Sequence, residues 1–341
     1  MGVPNASRRS VLLGLVLTGT VGGLIRPAEA SAAAPPVKSP PIIGCGAWRA
    51  RPPSTPVPVW DRRPVRIIVH HTATANVTDL SRGAAEFVAR KIQEFHMDRR
   101  RWIDTGQNFT ISRGGYVLEG RHRSLEVLRT GSRHVEGAHC TGQNVEAVGI
   151  ENEGTYSSNA PPDQLWDRLR DMCAYICHQY GIPPTEIGGH RDFKDTLCPG
   201  DRFYGMLPQL RTEVADLLGE PLSDRAARRA SWPLLRTDSS GPEVQAAQHL
   251  LRAAGLTVQP HGRFDERTTA AVRDYQRIHR TEEINGLIGG ETWPLLVTAR
   301  GTDRQEVALA VRALTPAGAV RASAIPGEEE WKRMLNAGRR S

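Results

Sequence analysis

The chain has 341 residues, enough for two compact domains, with 39% hydrophobic and 24% charged residues. Its formal charge of +7 includes a net +2 from Arg8, Arg9, Arg26 and Glu29 in residues 1–30, which leaves +5 on the remainder. So mild a basic balance suits an anionic surface such as a cell wall and gives no reason to expect a nucleic-acid partner.

Residues 1–30 read as an export signal. Ser7-Arg8-Arg9-Ser10 precedes the apolar stretch Val11–Leu17, and Ala28-Glu29-Ala30 is a small-x-small cleavage site. The stretch falls short of the roughly 18–20 residues a membrane span needs, so no stable membrane insertion is expected after cleavage. The paired arginines resemble a twin-arginine signal; an ordinary secretory signal with two arginines is the alternative. Secretion to the cell wall follows from either. Residues 31–43, rich in Ala and Pro, read as a disordered spacer.

Residues 44–218 form the first domain. Val65-Arg66-Ile67-Ile68-Val69 is a short β-branched run and predicts a buried strand. Ala85, Val88, Ala89, Ile92 and Phe95 lie at helical spacing. Phe109 to Glu119 reads as two strands joined at Gly114-Gly115, Val145 to Glu151 as another strand. Pro162 to Tyr180 is a helix with Leu165, Leu169, Met172, Ile176 and Tyr180 inward. The expected fold class is α/β, a mixed sheet flanked by helices. Residues 219–231 are polar and aperiodic, a linker. Residues 232–297 carry helical stripes (Val244, Ala247, Leu250, Leu251; Ala270, Ala271, Tyr275, Ile278) and predict a small all-α domain. The tail, 298–341, holds a helix at 304–314. Trp232-Pro233-Leu234-Leu235 recurs as Trp293-Pro294-Leu295-Leu296 and more loosely at Trp331–Leu335, so the tail reads either as a degenerate second copy or as a chance echo.

His190 and Cys198 are donors of the type that zinc takes, and a third imidazole, His70 or His71, ends the run at Val69. Adjacent strand residues face opposite ways, so only one of that pair can share a site. Two His and one Cys leave one tetrahedral position open, as a catalytic zinc requires. With Cys198 on a metal, Cys45, Cys140, Cys173 and Cys177 can pair as disulfides; Cys173 and Cys177, four apart on a helix, are poorly placed to bridge each other. Free buried thiols are the alternative.

VHHTAT, FHMDRRRWIDTGQNFTISRGGYVLEGR, GAHCTGQNVEAVGIENEGTY and GHRDFKDTLCPG, taken in order, resemble the zinc-dependent N-acetylmuramoyl-L-alanine amidases of the peptidoglycan recognition and phage-type amidase family. The resemblance implies one Zn²⁺ on His70, His190 and Cys198, and hydrolysis of the amide joining the lactyl group of N-acetylmuramic acid to L-alanine. It implies Glu151, in GIENEG, as the proton-transferring residue, although Glu153 shares its strand face in the pattern. Thr196, two before Cys198, is implied at the substrate carbonyl, and His139 and Asn108 as substrate contacts. Gln107 stands where many members carry Tyr; it can donate a hydrogen bond but cannot act as an acid or base near neutral pH.

Residues 232–297 resemble the three-helix peptidoglycan-binding module in LRTDSSGPEVQAAQ, GRFDERTTAAVRDYQ and GLIGGETWPLL, though no glycine follows Phe264. The module implies a monomer tethered to peptidoglycan, its effective concentration there raised to roughly millimolar. The rival is a non-catalytic recognition protein of the same fold, which Gln107 favours and Cys198 opposes. A cell-wall peptidase would show an HxxxD-like pair, and none stands out.

Overall fold

The structure is a computed structural model describing residues 37–298, 303–315 and 326–337. The export signal and residues 31–36 lie outside the described residues. The first domain runs β1 (Ile42–Ile43), β2 (Val59–Trp60), β3 (Arg66–His71), α1 (Arg82–Glu94), β4 (Phe109–Ile111), β5 (Val117–Glu119), α2 (Ser124–Thr130), β6 (His134–Val135), β7 (Ala147–Asn152), α3 (Asp163–Tyr180), β8 (Ile187–Gly189) and α4 (Asp201–Leu218). Among the described residues no helix is long and apolar enough to cross a membrane.

The sheet is mixed, in the order β1–β5–β4–β7–β3–β8, and only β4–β5 is antiparallel. Its central strands are covered on both faces, which is why Ile67-Ile68-Val69 is a continuous apolar run rather than an alternating one. Ile67, Val69, Val148 and Ile150 point into a core closed by Leu165, Leu169, Met172 and Ile176 of α3 and by Phe203, Leu207 and Leu210 of α4. On the opposite face Ile68 packs with Cys140 and Ala147, and Leu118 with Ala85 and Ala89 of α1. Ser81 caps α1 by accepting from the Ala84 amide at 3.2 Å.

Three expectations need correction. Within the supposed spacer, Ile42 and Ile43 pair in parallel with Val117 and Leu118, so the end of that segment forms an edge strand of the sheet. On α1 the buried residues are Ala85, Ala89 and Gln93, while Phe95 is exposed. Gln93 turns that face by hydrogen bonding: its Nε2 donates to Asp104 Oδ1 and to the Arg51 carbonyl, each at 3.0 Å, and its Oε1 accepts from the Arg51 amide at 2.8 Å. All five cysteines are free thiols. Cys45, Cys140 and the Cys173–Cys177 pair occupy three separate apolar clusters, so no two from different clusters meet.

The segment 219–231 lies on the first domain. It carries α5 (Asp224–Ala227), and buried Arg211 of α4 donates from Nε to the Ile187 carbonyl at 2.7 Å and from Nη1 to the Ala227 carbonyl at 2.8 Å. The C-terminal block contains α6 (Pro242–Ala253), α7 (Glu266–His279), α8 (Thr292–Thr298), α9 (Arg304–Leu314) and α10 (Glu328–Ala337). All share one core, in which Val244, Leu251, Val272 and Trp293 meet Ala310 of α9 and Trp331 and Leu335 of α10. Glu306 of α9 accepts from His249 Nδ1 and Arg252 Nε of α6, both at 2.7 Å. The sequence echo thus brings three tryptophans into one core: Trp232 stacks on Trp293 at 6.1 Å between centroids, and Trp331 is fully buried. Replacing Trp331 by Ala is expected to destabilise this block by about 3–5 kcal/mol. Denaturant unfolding followed by tryptophan fluorescence checks this; an unchanged midpoint would detach α10 from the core.

Candidate metal centre

β3 and β7 are in register, Ile67 with Val148, Val69 with Ile150, and His70 with Glu151. Since Val69 and Ile150 enter the core, alternation sends His70 and Glu151 to the other face, side by side on neighbouring strands. β4 continues the row, with Thr110 beside Glu151. β8 pairs with the other edge of β3 and ends at Gly189, which delivers His190 against His70 with ring centroids 4.5 Å apart.

Cys198 reaches the same point from the loop that follows. Its Sγ lies 3.8 Å from His70 Nδ1, and one donor atom from each of His70, His190 and Cys198 falls within 4.8 Å of the others. Burial holds the His70 imidazole well below its ordinary value, reinforced by His190 and His139, and holds His190 at about 4. Burial also pushes the Cys198 thiol far up, with the nearby Glu151 charge adding to the effect. Two neutral imidazoles and a sulfur that needs a cation to ionise are a donor set that suits zinc. The His71 amide donates to Cys198 Sγ at 3.4 Å, a bond that favours the thiolate.

The other anticipated residues separate into two groups. Glu151 stands in the row with His70, and burial alone raises its carboxyl to about 8. Glu153 is turned away: its Oε2 accepts from the Arg113 amide at 2.8 Å. Thr196 lines the cleft over the three donors, and its hydroxyl accepts from the Cys198 amide at 3.2 Å. His139 also lines the cleft, but its Nδ1 meets His70 Nε2 at 3.0 Å and its Nε2 lies 3.3 Å from the Ala147 carbonyl. It therefore braces His70 on the side away from Cys198. Glycine is required at position 149 for this contact, because a Cβ there would come within 2.5 Å of the His139 ring.

Asn108 does not reach the cleft. It is buried, its Oδ1 accepting from the Gly149 amide at 2.9 Å and its Nδ2 donating to Ser124 Oγ and the Val135 carbonyl. Gln107 is buried as well; its Nε2 donates to Thr110 Oγ1 at 2.8 Å and its Oε1 has no partner among the described residues. His71 lines the cleft and meets Cys198 Sγ with its backbone, while its ring Nδ1 accepts from the Tyr156 amide at 3.3 Å.

Two residues that the sequence reading passed over shape the ligand loop. Arg191 donates to the Leu197 and Cys198 carbonyls and to Asp201 Oδ1, the last at 2.7 Å, and so ties the loop from inside. Asp192 accepts from the Gly189 amide at 2.9 Å and from the Tyr204 hydroxyl. Both lie in the quoted GHRDF motif, yet spacing says nothing of contacts that close only once α4 is packed. The cleft has a volume of about 550 Å³, and one wall comes from the C-terminal block through Glu282, Glu283, Asn285 and Leu287.

Residues 60–201 match the family described as N-acetylmuramoyl-L-alanine amidase, and residues 240–296 match a peptidoglycan binding domain. The N-acetylmuramoyl-L-alanine amidase of Sus scrofa is 30% identical over 203 residues, 55% of this chain. The chain spans only 32% of that protein's own length. Peptidoglycan recognition protein 1 of Bos indicus is 32% identical over 150 residues, which are 43% of this chain and 73% of that one. The solved structure of wild-type Drosophila PGRP-LB covers 49% of this chain and 92% of its own, at 28% identity and a TM-score of 0.43. The chain belongs to the family of N-acetylmuramoyl-L-alanine amidases and peptidoglycan recognition proteins.

Proposed function

We propose that the protein is a secreted zinc amidase that cleaves the bond between the lactyl group of N-acetylmuramic acid and L-alanine, held to the wall by its C-terminal block. The observation that carries this reading is the convergence of His70, His190 and Cys198 within 4.8 Å on the face that also presents Glu151. A zinc ion on these three side chains would acidify a water toward a pKa of about 7 and polarise the amide carbonyl. Secretion is supported by residues 1–30, and tethering by the match over residues 240–296.

The protein's own groups supply the rest. Glu151, beside His70 on the neighbouring strand, takes the proton of the attacking water and delivers it to the leaving nitrogen once the charge of a bound zinc offsets the burial that otherwise raises its carboxyl. Thr196 sits on the cleft wall beside Cys198, where its hydroxyl can meet the substrate carbonyl. Gln107 offers no proton transfer, and its amide steadies Thr110 next to Glu151 in the strand row. His139 keeps the His70 ring oriented.

Cys198→Ala is expected to abolish both zinc retention and activity. Metal analysis and the appearance of L-alanine amino termini from purified wall measure the two together. A cysteine variant that kept full activity would remove the zinc argument. Glu151→Gln should retain zinc while kcat falls by about 10²–10⁴-fold, the range for loss of a positioned acid or base. Zinc binding with no hydrolysis in the wild type would instead favour the recognition-protein reading. His139→Ala is expected to weaken zinc affinity by about 10–100-fold, as loss of a ligand's outer partner does. Competition with a chromophoric chelator reads that loss; an unchanged affinity would return His139 to a substrate-contact role.

A further inference from the structure

The C-terminal block does not merely follow the metal centre in sequence; it is docked on the loop that carries two of the three donors. Asp195, fully buried and midway between His190 and Cys198, accepts from the Gly289 amide at 2.7 Å, the Thr292 amide at 3.1 Å, Gln276 Nε2 at 3.2 Å and the Thr292 hydroxyl. Asn285 Nδ2 donates to the Asp195 carbonyl at 2.6 Å, and the Gly290 amide donates to the Arg191 carbonyl at 3.1 Å. Lys194 pairs with Glu282 at 2.8 Å and Glu291 at 3.4 Å, and Thr141 donates to Glu282 at 2.8 Å. Arg236 joins Asp201, already paired with Arg191, at 2.7 Å.

The contact is shaped as well as charged. A Cβ on Gly290 would come within 2.3 Å of the Asp192 carbonyl and the Phe193 amide nitrogen, and one on Gly289 within 2.8 Å of the Lys194 carbonyl. Both glycines belong to the block's own turn before α8, and neither has a positive φ. What they supply is close approach to the ligand loop. A carboxylate such as Asp195, removed from water and met by four donors of the other block, favours one docked arrangement over a swinging tether.

We infer that this block is a fixed wall of the catalytic cleft, so that the segment 281–287 contacts the glycopeptide bound at His70, His190 and Cys198. Asn285 and Glu282 are spent on docking. Glu283 and Leu287 remain as the block's cleft-lining side chains, and Glu283 pairs with no cation among the described residues. This inference rests on the amidase reading for the identity of the substrate, but it goes beyond tethering: a tether acts only on insoluble wall, whereas a wall of the cleft acts on every substrate, however small.

The test uses the full chain and a soluble disaccharide-peptide fragment, on which tethering has no purchase. Gly290→Ala adds one methyl group against Asp192 and is expected to open the docked arrangement, read as an increased radius of gyration by small-angle scattering. Glu283→Lys changes a side chain that makes no hydrogen bond or ion pair to the loop among the described residues, and it reverses charge on the cleft wall. In Gly290→Ala, kcat/KM for the soluble fragment is expected to fall about tenfold or more, since loosening of a positioning element by an ångström is felt at that scale. In Glu283→Lys the change is expected in KM, with kcat nearly constant. Calorimetric binding of the same fragment should weaken in step with each. Because binding is read apart from turnover, failure of the amidase reading would appear as a wild type that binds the fragment without cleaving it. Fragment affinity and kcat/KM equal to wild type in both variants, whatever the scattering shows, would overturn the inference.

Discussion

The pairing of β3 with β7 is the constraint on which the rest depends. Six consecutive residue pairs run in register from Arg66–Ala147 to His71–Asn152. Because side chains alternate, the same register that sends Val69 and Ile150 into the core sends His70 and Glu151 together to the opposite face of the sheet. A slip of one residue would bury His70 among α3 and α4 and move Val69 to the opposite face. The apolar core therefore enforces the geometry of the polar site, and no separate device is needed to place His70 beside Glu151.

That placement carries an electrostatic cost which the neighbouring residues do not offset. Burial drives His70, His190, Cys198 and Glu151 each toward its uncharged form. Elsewhere the chain answers buried charge with a partner: Asp104 holds His122 and Gln93, and Glu306 holds His249 and Arg252. At the three donors the pattern differs. Among the described residues the three donors make close polar contacts with His139, with the His71 backbone and with one another, while the nearby cations Arg191 and Lys194 are paired with Asp201 and with Glu282 and Glu291. On the proposed reading, a zinc ion held by the three donors would oppose the direction in which Cys198 and Glu151 are pushed.

How much of this was legible in the sequence depends on the range of the contacts involved. The run before His70 and the stripe on α3 were readable because periodicity and burial are local properties. The candidates His70, His190 and Cys198, whose donor atoms converge in the fold, stood out because few residue types offer such donors and the motifs around them come in order. Asn108 misled because its partners, Gly149, Ser124 and Val135, come from three elements that meet only in the folded sheet. The α1 face misled because Gln93 is buried by Asp104 and Arg51, which no helical pattern reveals. The cysteines looked pairable by count, yet each sits in an apolar cluster that hides a thiol without needing a bridge. Asp195 carried no signal at all, because its donors lie 81–97 residues later in the chain.

The loop from His190 to Cys198 shows what those distant contacts accomplish. Two donors separated by seven residues could adopt many relative positions, and a metal site needs one. From the inside, Arg191 fastens the carbonyls of Leu197 and Cys198 and is itself fixed by Asp201. From the sheet, Asp192 folds back on the Gly189 amide, so the turn begins where β8 ends. From the far side, the C-terminal block takes hold of Asp195, Lys194 and the Arg191 carbonyl. The first two restraints come from the first domain itself, while the third comes from a block with its own apolar core. Each restraint acts on a different stretch of the loop, so together they limit the separation of His190 and Cys198 more narrowly than any one could. Rigidity of that kind is what a three-donor centre requires, because imidazole and thiolate must be in position before the ion arrives if binding is not to be weakened by ordering them. In this chain the second block therefore helps to position the candidate donors His190 and Cys198 through the loop between them, and among the described residues it adds no donor to the His70–His190–Cys198 cluster.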